Sequence, residues 1–133
     1  MKIFQTEPDV AGVISLIENA KEYVIIVSPF NDLTGWDKLK NVINQASKKI
    51  SIEYYVRQGQ GMRGMDGIDV NVFDVPGLHA KMFFSEKEGM ISSGNLDIRP
   101  DINCTILLNK KEEYNSIVNF FERYIKPVAV RVK

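Results

Sequence analysis

The chain has 133 residues, enough for one domain with its own core, and its 44% hydrophobic and 26% charged content is that of an ordinary globular protein. The chain has 17 lysine and arginine residues and 17 aspartate and glutamate residues, so its formal net charge is zero. This argues against a protein that coats nucleic acid through bulk charge, but it does not exclude a local basic cleft. One cysteine and one histidine exclude an internal disulfide and an ordinary Cys/His zinc site within the chain. No apolar run approaches the roughly 20 residues of a membrane helix, and the N-terminus lacks the apolar core of a signal peptide. We expect a single cytoplasmic domain, residues 1–133, that needs no metal or cofactor.

The first part of the chain alternates strands and helices. Residues 2–5 suit a short strand, and Glu7-Pro8-Asp9 has the acidic residues and the proline that are typical of a first helical turn. Apolar residues then recur at helical spacing until about Glu22. Residues 23–30 form a nearly continuous, β-branched apolar run, which is typical of a strand buried on both faces.

A second helix and a further strand follow. Thr34 and Asp37 have the spacing of a capping box and predict the start of a second helix, whose apolar face begins with Trp36. Residues 50–57 are the next strand candidate. Strands that alternate with helices in this way favour a parallel sheet covered by helices.

A glycine-rich segment, residues 58–67, interrupts this pattern. Its four glycines in ten residues predict a flexible surface loop, with Arg63 near the tip as a candidate contact to substrate. A phosphate-binding P-loop is excluded because no Gly-Lys-Ser/Thr sequence follows the glycines.

The rest of the chain is rich in strands and ends in a helix. We predict strands over residues 68–75, 78–85, 89–93 and 102–108, with a tight hairpin turn at residues 86–89. Asn109 and Glu112 predict the start of the last helix, which Pro127 ends before an edge strand at residues 128–132. The expected fold is α/β, with a mixed sheet of about six to eight strands and helices on both faces.

Four polar residues of this second part suit a phosphate. His79 and Lys81 are two positions apart on a predicted strand and so face the same side, and Ser93 and Asn95 form a similar pair after the hairpin. Lysine supplies positive charge, and serine and asparagine supply neutral donors to phosphate oxygens. Imidazole can attack phosphorus or carry a proton near neutral pH. Either pair alone is a common surface pattern, but the two together on adjacent strands predict a phosphate site.

The same residues resemble the HKD motif of the phospholipase D superfamily. In that motif H-x-K-x4-D is followed by G-S-x-N; here His79, Lys81 and Glu86 match the first part, and Ser92-Ser93-Gly94-Asn95 matches the second. Residues 95–99 (NLDIR) are similar to the N-L-D-x-R of the phosphatidyl-transferase branch. The order of the predicted helices and strands also resembles the family, so the resemblance covers most of the chain. Its most specific part lies within residues 78–99.

The resemblance implies phosphodiester exchange without a metal. One histidine attacks phosphorus and forms a phosphohistidine, and a second histidine protonates the leaving oxygen and then activates water or an alcohol. His79 would take the histidine role. Lys81 and Asn95 would bind phosphate, with support from Ser93.

Two regions depart from the family pattern. Glu86 stands where the motif has aspartate, in a hairpin that is one residue shorter, and its implied role is structural. Many family members carry a glutamate on the strand after the motif, where this chain has Asn103 and Thr105.

The single histidine implies a shared site. The implied chemistry uses two histidines, so the simplest arrangement is a homodimer whose twofold axis brings a second His79 to the same phosphate. The small, Nuc-like single-motif nucleases of the superfamily are built in this way and are similar in length to this chain. Arg57, Arg63 and Arg99 are candidates for a basic rim that binds substrate. Aromatic and methionine side chains are candidates for the interface between copies: Trp36, Tyr54, Tyr55, Met62 and Met65.

Three functions remain open. The first is a metal-independent phosphodiesterase acting on DNA, RNA or phospholipid, with a nuclease favoured because double-motif lipases are much longer. The second is a module that binds nucleic acid or phosphate without efficient cleavage. The third is a subunit that completes its site with a different protein.

Overall fold

The computed structural model describes residues 2–6, 10–98 and 101–133. The predicted helix start at residues 7–9 and the candidate Arg99 lie outside the described residues. Within the described ranges, no helix is both long enough and apolar enough to cross a membrane.

The described residues form eight strands and three α-helices. The strands are β1 (Lys2–Thr6), β2 (Tyr23–Val27), β3 (Ser51–Arg57), β4 (Asn71–Val75), β5 (Met82–Ser85), β6 (Gly89–Ser92), β7 (Asn103–Leu108) and β8 (Val130–Arg131). The helices are α1 (Val10–Asn19), α2 (Asp37–Ser47) and α3 (Lys111–Phe120). The last helix continues through a π-helical turn, Phe121–Ile125, and a 3₁₀ turn, Lys126–Val128.

The eight strands join one mixed sheet in the order β1-β7-β6-β5-β2-β3-β4-β8. The central strands β2, β3 and β4 are parallel. Alternation with helices predicted this for β2 and β3, but not for β4, which follows β3 without an intervening helix. The prediction was wrong for β1, which pairs antiparallel with β7 at the far edge of the sheet. The predicted α/β fold, a mixed sheet with helices on both faces, is confirmed.

The core has one layer on each face of the sheet. Successive side chains of a strand point to opposite faces. Val24 and Ile26 of β2 accordingly pack in the layer that contains α1 and α2, whereas Ile25 and Val27 pack in the layer that contains α3. Because β2 is interior and covered on both faces, its sequence is continuously apolar instead of alternating.

The predicted capping box at Thr34 and the predicted helix start at Asn109 are both wrong. The residue before α2 is Trp36, which makes no side-chain capping bond. The hydroxyl of Thr34 donates instead to Asp32 Oδ1, at 2.6 Å, so local turn formation competes successfully with capping. The residue before α3 is Lys110 rather than Asn109, and it also makes no side-chain capping bond.

Residues 58–67 contain no helix or strand, as predicted, but they are not a detached surface loop. Met65 is fully buried in the core, and the carbonyl of Gly64 accepts the Leu33 N–H at 2.9 Å. Gly64 has φ +73°, and a Cβ at this position would lie 1.9 Å from the carbonyl oxygen of Asn31. Only glycine therefore permits this segment to pack against the loop after β2.

Three of the predicted interface residues belong to the core. Tyr54 and Tyr55 are 0% and 2% exposed, because β3 is interior and both of its faces are covered, and Met65 is equally buried. Trp36 and Met62 are half-buried and pack against the same core.

Candidate active site

The four predicted phosphate-binding residues lie at one edge of the sheet. This edge contains the carboxyl ends of the parallel strands β2, β3 and β4, where ligands bind in open α/β sheets. The start of β5 reaches it because Met82 pairs with Val27, the last residue of β2. The end of β6 and the start of β7 reach it because Ser92 pairs with Thr105.

His79 and Lys81 precede β5 instead of lying on it. The predicted strand began at Leu78, but β5 begins at Met82. An Arg57 guanidinium nitrogen donates to the Leu78 carbonyl at 3.1 Å, which holds this irregular segment against the end of β3. The two side chains still meet, since Lys81 Nζ lies 3.2 Å from His79 Nδ1.

The contact between Lys81 and His79 specifies a tautomer. A protonated lysine has only donors, so in this contact His79 Nδ1 acts as the acceptor. Burial lowers the pKa of the Lys81 ammonium from its ordinary value of 10.5. His79 itself is exposed.

Ser93 connects the end of β6 to the start of β7. Its hydroxyl donates to Asn103 Oδ1 at 3.0 Å and accepts the Cys104 N–H at 2.9 Å. Its main-chain N–H also donates to the Cys104 carbonyl at 3.0 Å. The single hydroxyl proton of Ser93 is therefore engaged with Asn103.

Asn95 is oriented by the loop after β2. Its Oδ1 accepts the main-chain N–H of Phe30 at 3.0 Å, so its Nδ2 group provides the donors for a ligand. The fully buried Ser28 supports this arrangement, because its hydroxyl accepts the Leu96 N–H at 2.8 Å and donates to the Phe30 carbonyl at 3.3 Å. Sequence reasoning missed Ser28, although a serine that closes an apolar strand was an available signal.

Glu86 lies at the opposite edge of the sheet, in the turn after β5. Its carboxylate accepts three main-chain N–H bonds, from Lys21 at 2.9 Å, Glu22 at 3.0 Å and Tyr23 at 3.2 Å. Partial burial would raise the pKa of this carboxyl, but these hydrogen bonds outweigh burial and hold the pKa below its ordinary value of 4.5. The contacts of Glu86 thus tie the β5–β6 hairpin to the start of β2.

One cavity brings together three of the four candidates. His79, Lys81 and Ser93 line a space of about 520 Å³, and Asn95 follows two residues after Ser93. Most of the remaining lining is apolar and was not expected from the sequence: Ala80, Met82, Ile91, Leu108, Ile117 and Phe120. The arrangement can hold a phosphate at a polar rim above an apolar floor.

The predicted basic rim does not surround this cavity. Arg57 is half-buried and bonded to the Leu78 carbonyl, with its guanidinium 6.0 Å from the centre of the Phe30 ring. Arg63 is exposed and lines a separate cavity with Phe30 and Asp97. Neither arginine is among the residues that line the His79 cavity.

Comparison with known proteins identifies the fold. No family model and no curated protein matches the sequence. The phospholipase D family member Nuc from Salmonella typhimurium matches with a TM-score of 0.71 at 12% identity, over 99% of this chain and 97% of that chain. NucT from Helicobacter pylori matches with a TM-score of 0.69 at 14% identity, over 98% of this chain and 99% of that chain. Phosphatidylserine synthase from Haemophilus influenzae Rd KW20 matches with a TM-score of 0.66 at 18% identity, over 93% of this chain and 37% of that chain. The chain therefore has the same fold as Nuc and NucT.

Proposed function

We propose that this chain is a metal-independent phosphodiesterase, a nuclease that acts through a phosphohistidine on His79 at a site shared by two copies. The observation that carries the proposal is the placement of His79, Lys81 and Ser93 around one cavity at the carboxyl edge of the sheet. Support comes from the HKD-like motif and from the fold shared with Nuc and NucT, each matched over nearly its whole length.

Lys81 and Asn95 bind the phosphate in this proposal. The Lys81 ammonium, which contacts His79 Nδ1 in the free protein, moves to a non-bridging phosphate oxygen. Asn95 donates from Nδ2 to a second oxygen while its Oδ1 stays on the Phe30 N–H. Donors held in this way stabilise the charge that develops on a pentacoordinate phosphorus.

His79 then supplies the nucleophile. Once Lys81 has moved away, the imidazole carries its proton on Nδ1 and attacks phosphorus with the lone pair of Nε2. The P–N bond forms as the P–O bond to the leaving group breaks, and the leaving oxygen takes a proton from the His79 of the second copy. That second imidazole next removes a proton from water, whose oxygen attacks phosphorus, breaks the P–N bond and restores His79.

The second copy would approach at the rim of the His79 cavity. His79 is exposed, and Ile91 and Phe120 at the same cavity are 40% and 42% exposed. A twofold contact here would cover these apolar side chains and place two His79 imidazoles on opposite sides of one phosphate.

The proposed activity is tested by cleavage of single- and double-stranded DNA and RNA in excess EDTA. The wild type is compared with His79→Ala and Lys81→Ala, and Lys87→Ala, in the turn at the opposite edge, serves as the control. We expect the wild type and the control to cleave and the other two variants to be inactive. No cleavage by a folded wild type would overturn the nuclease proposal, and the same proteins would then be assayed on phospholipid vesicles.

Sharing of the site is tested with mixed dimers. Wild type and His79→Ala are mixed in equal amounts, unfolded and refolded together. If each site needs both histidines, only dimers of two wild-type chains are active, and total activity falls to about one quarter of that of the all-wild-type protein. Independent sites would leave about one half of the activity.

A second candidate is a module that binds nucleic acid without efficient cleavage. The observation that favours it is that the Ser93 hydroxyl bonds to an uncharged amide, Asn103, in the region of Asn103 and Thr105 where many family members carry a glutamate. Tight oligonucleotide binding by the wild type, with no cleavage in EDTA or in Mg²⁺, would select this candidate.

A further inference from the structure

A second cavity, here called the Phe30 cavity, takes no part in the chemistry described above. It has a volume of about 680 Å³ and lies where the loop after β2 meets the glycine-rich segment. Its lining includes one aromatic ring and five polar side chains: Phe30, Asn31, Asp32, Gln60, Arg63 and Asp97.

Phe30 ties this cavity to the phosphate site. Its main-chain N–H is the group that orients Asn95, at 3.0 Å. Its ring is 37% exposed, and the Arg57 guanidinium lies 6.0 Å from the ring centre. Phe30 thus contacts Asn95 through its main chain and also lines the Phe30 cavity.

The walls of the cavity are fixed by main-chain bonds. The main-chain N–H of Asp32 donates to the Leu96 carbonyl at 2.9 Å, and the main-chain carbonyl of Asp32 accepts the Ile98 N–H at 3.2 Å. These bonds place the segments that contain Asp32 and Asp97 side by side. The hydroxyl and N–H of Thr34 bond to the Asp32 carboxylate and lower its pKa, which keeps it an ionised acceptor. On the other wall, Gly64 packs directly against the Asn31 carbonyl.

The lining combines acceptors, donors and an aromatic surface. Carboxylates only accept hydrogen bonds, the Arg63 guanidinium only donates, and the Gln60 amide does both. Such a set matches the edge of a nucleobase, whose flat face stacks on an aromatic ring. An acyl chain would make no hydrogen bonds with these side chains, and an alkylammonium group has no acceptor for the donors of Arg63 and Gln60.

We propose that the Phe30 cavity holds one unpaired base of a single-stranded nucleic acid while the neighbouring phosphodiester lies at His79. This inference rests on the proposed function and names its substrate class. A duplex base cannot enter, because its edge is paired and both its faces are stacked. Bases with an exocyclic amino group are preferred to thymine, because the amino group offers two N–H donors to the carboxylates, whereas thymine offers only its N3–H.

The test measures binding apart from cleavage. Fluorescein-labelled oligo(dC), oligo(dT) and a mixed-sequence duplex are titrated in EDTA with the non-cleaving His79→Ala protein. Phe30→Leu and Phe30→Trp are added to this background, with Tyr124→Leu as a control that removes an exposed aromatic ring in the π-helical turn after α3. Circular dichroism and thermal melting check that each variant is folded.

We expect oligo(dC) to bind more tightly than oligo(dT) and than the duplex. Phe30→Leu should raise the Kd for oligo(dC) about tenfold, and Phe30→Trp should restore it. Tyr124→Leu should change neither Kd. Unchanged oligo(dC) binding in folded Phe30→Leu, equal binding of duplex and single strand, or no oligonucleotide binding at all would each overturn the inference. Phe30→Leu is also made in the chain that keeps His79. If this variant cleaves with the KM of the wild type, the inferred base site is wrong, but the proposed nuclease function stands.

Discussion

The hydroxyl of Ser93 donates a hydrogen bond to the amide oxygen of Asn103 at 3.0 Å, joining the end of β6 to the start of β7. Gly94 completes this contact, since a Cβ there would lie 2.5 Å from Asn103 Nδ2. An uncharged amide thus accepts the hydroxyl proton of a candidate catalytic residue at the end of β6.

Asn103→Asp should increase cleavage. The substitution preserves the shape of the side chain and its bond from Ser93 while adding a negative charge at the site edge. We expect kcat to rise about tenfold, because a negative charge beside Ser93, at the edge of the proposed site, favours the imidazolium form of His79 that the proposed chemistry uses. Asn109→Asp, which adds the same charge on an exposed residue beyond β7, is the control. Equal or lower kcat in Asn103→Asp would show that the amide does not limit the rate.

Glu86→Gln should destabilise the fold without entering the chemistry. Loss of the charge weakens three main-chain hydrogen bonds, and we expect a decrease of about 1–2 kcal/mol in the free energy of unfolding at neutral pH. Glu88→Gln in the same turn is the control. The measurement is urea denaturation of each protein.

The stabilisation by Glu86 should depend on pH in one direction. Its pKa in the folded chain is below the ordinary value of 4.5, so its contribution is present above pH 4.5 and is lost as pH falls through the folded pKa. The gap in stability between wild type and Glu86→Gln should therefore shrink on acidification below that value. A gap that stays constant would mean that the carboxylate charge contributes nothing.

Gly64→Ala should be much more damaging than Gly35→Ala. Both glycines have positive φ, +73° and +79°, but nothing lies within 4 Å of a Cβ at Gly35, whereas a Cβ at Gly64 would overlap the Asn31 carbonyl. We expect a cost of about 1 kcal/mol for Gly35→Ala from the backbone conformation alone. Gly64→Ala should cost about 3 kcal/mol or more, because the main chain must move. Similar melting temperatures for the two variants would contradict the close packing of this segment.

Arg57→Met should lower kcat more than it raises KM. The substitution keeps an apolar stem but removes the bond to the Leu78 carbonyl that holds the segment before His79. We expect a loss of about tenfold in kcat from a displaced imidazole. Arg57→Lys should recover part of that loss. If Arg57 instead binds substrate phosphate, KM will rise and the salt dependence of KM will become less steep.

Sequence patterns predicted the interior elements better than the edges and caps. The run at residues 23–30 had the composition of a doubly covered strand, and β2 is the centre of the sheet. The pairing of β1 with β7 joins residues about a hundred positions apart, from Lys2 to Leu107, so no local pattern could indicate it. Thr34 and Asp37 have the spacing of a capping box, but the Thr34 hydroxyl bonds to Asp32 instead of capping α2. A bond to a residue two positions away competes with the capping bond to the helix.

The candidate site shows the same division. His79, Lys81, Ser93 and Asn95 stand out in the sequence because their residue types and spacings are local properties of one short stretch. The sequence by itself also determined the α/β class, since hydrophobic periodicity reflects which faces of each element can be buried. Only the tertiary structure decided that Phe30 orients Asn95 and that Ile117 and Phe120 of α3 help to line the His79 cavity. These contacts join segments that are far apart in the chain, and their geometry depends on how the whole sheet and its helices pack.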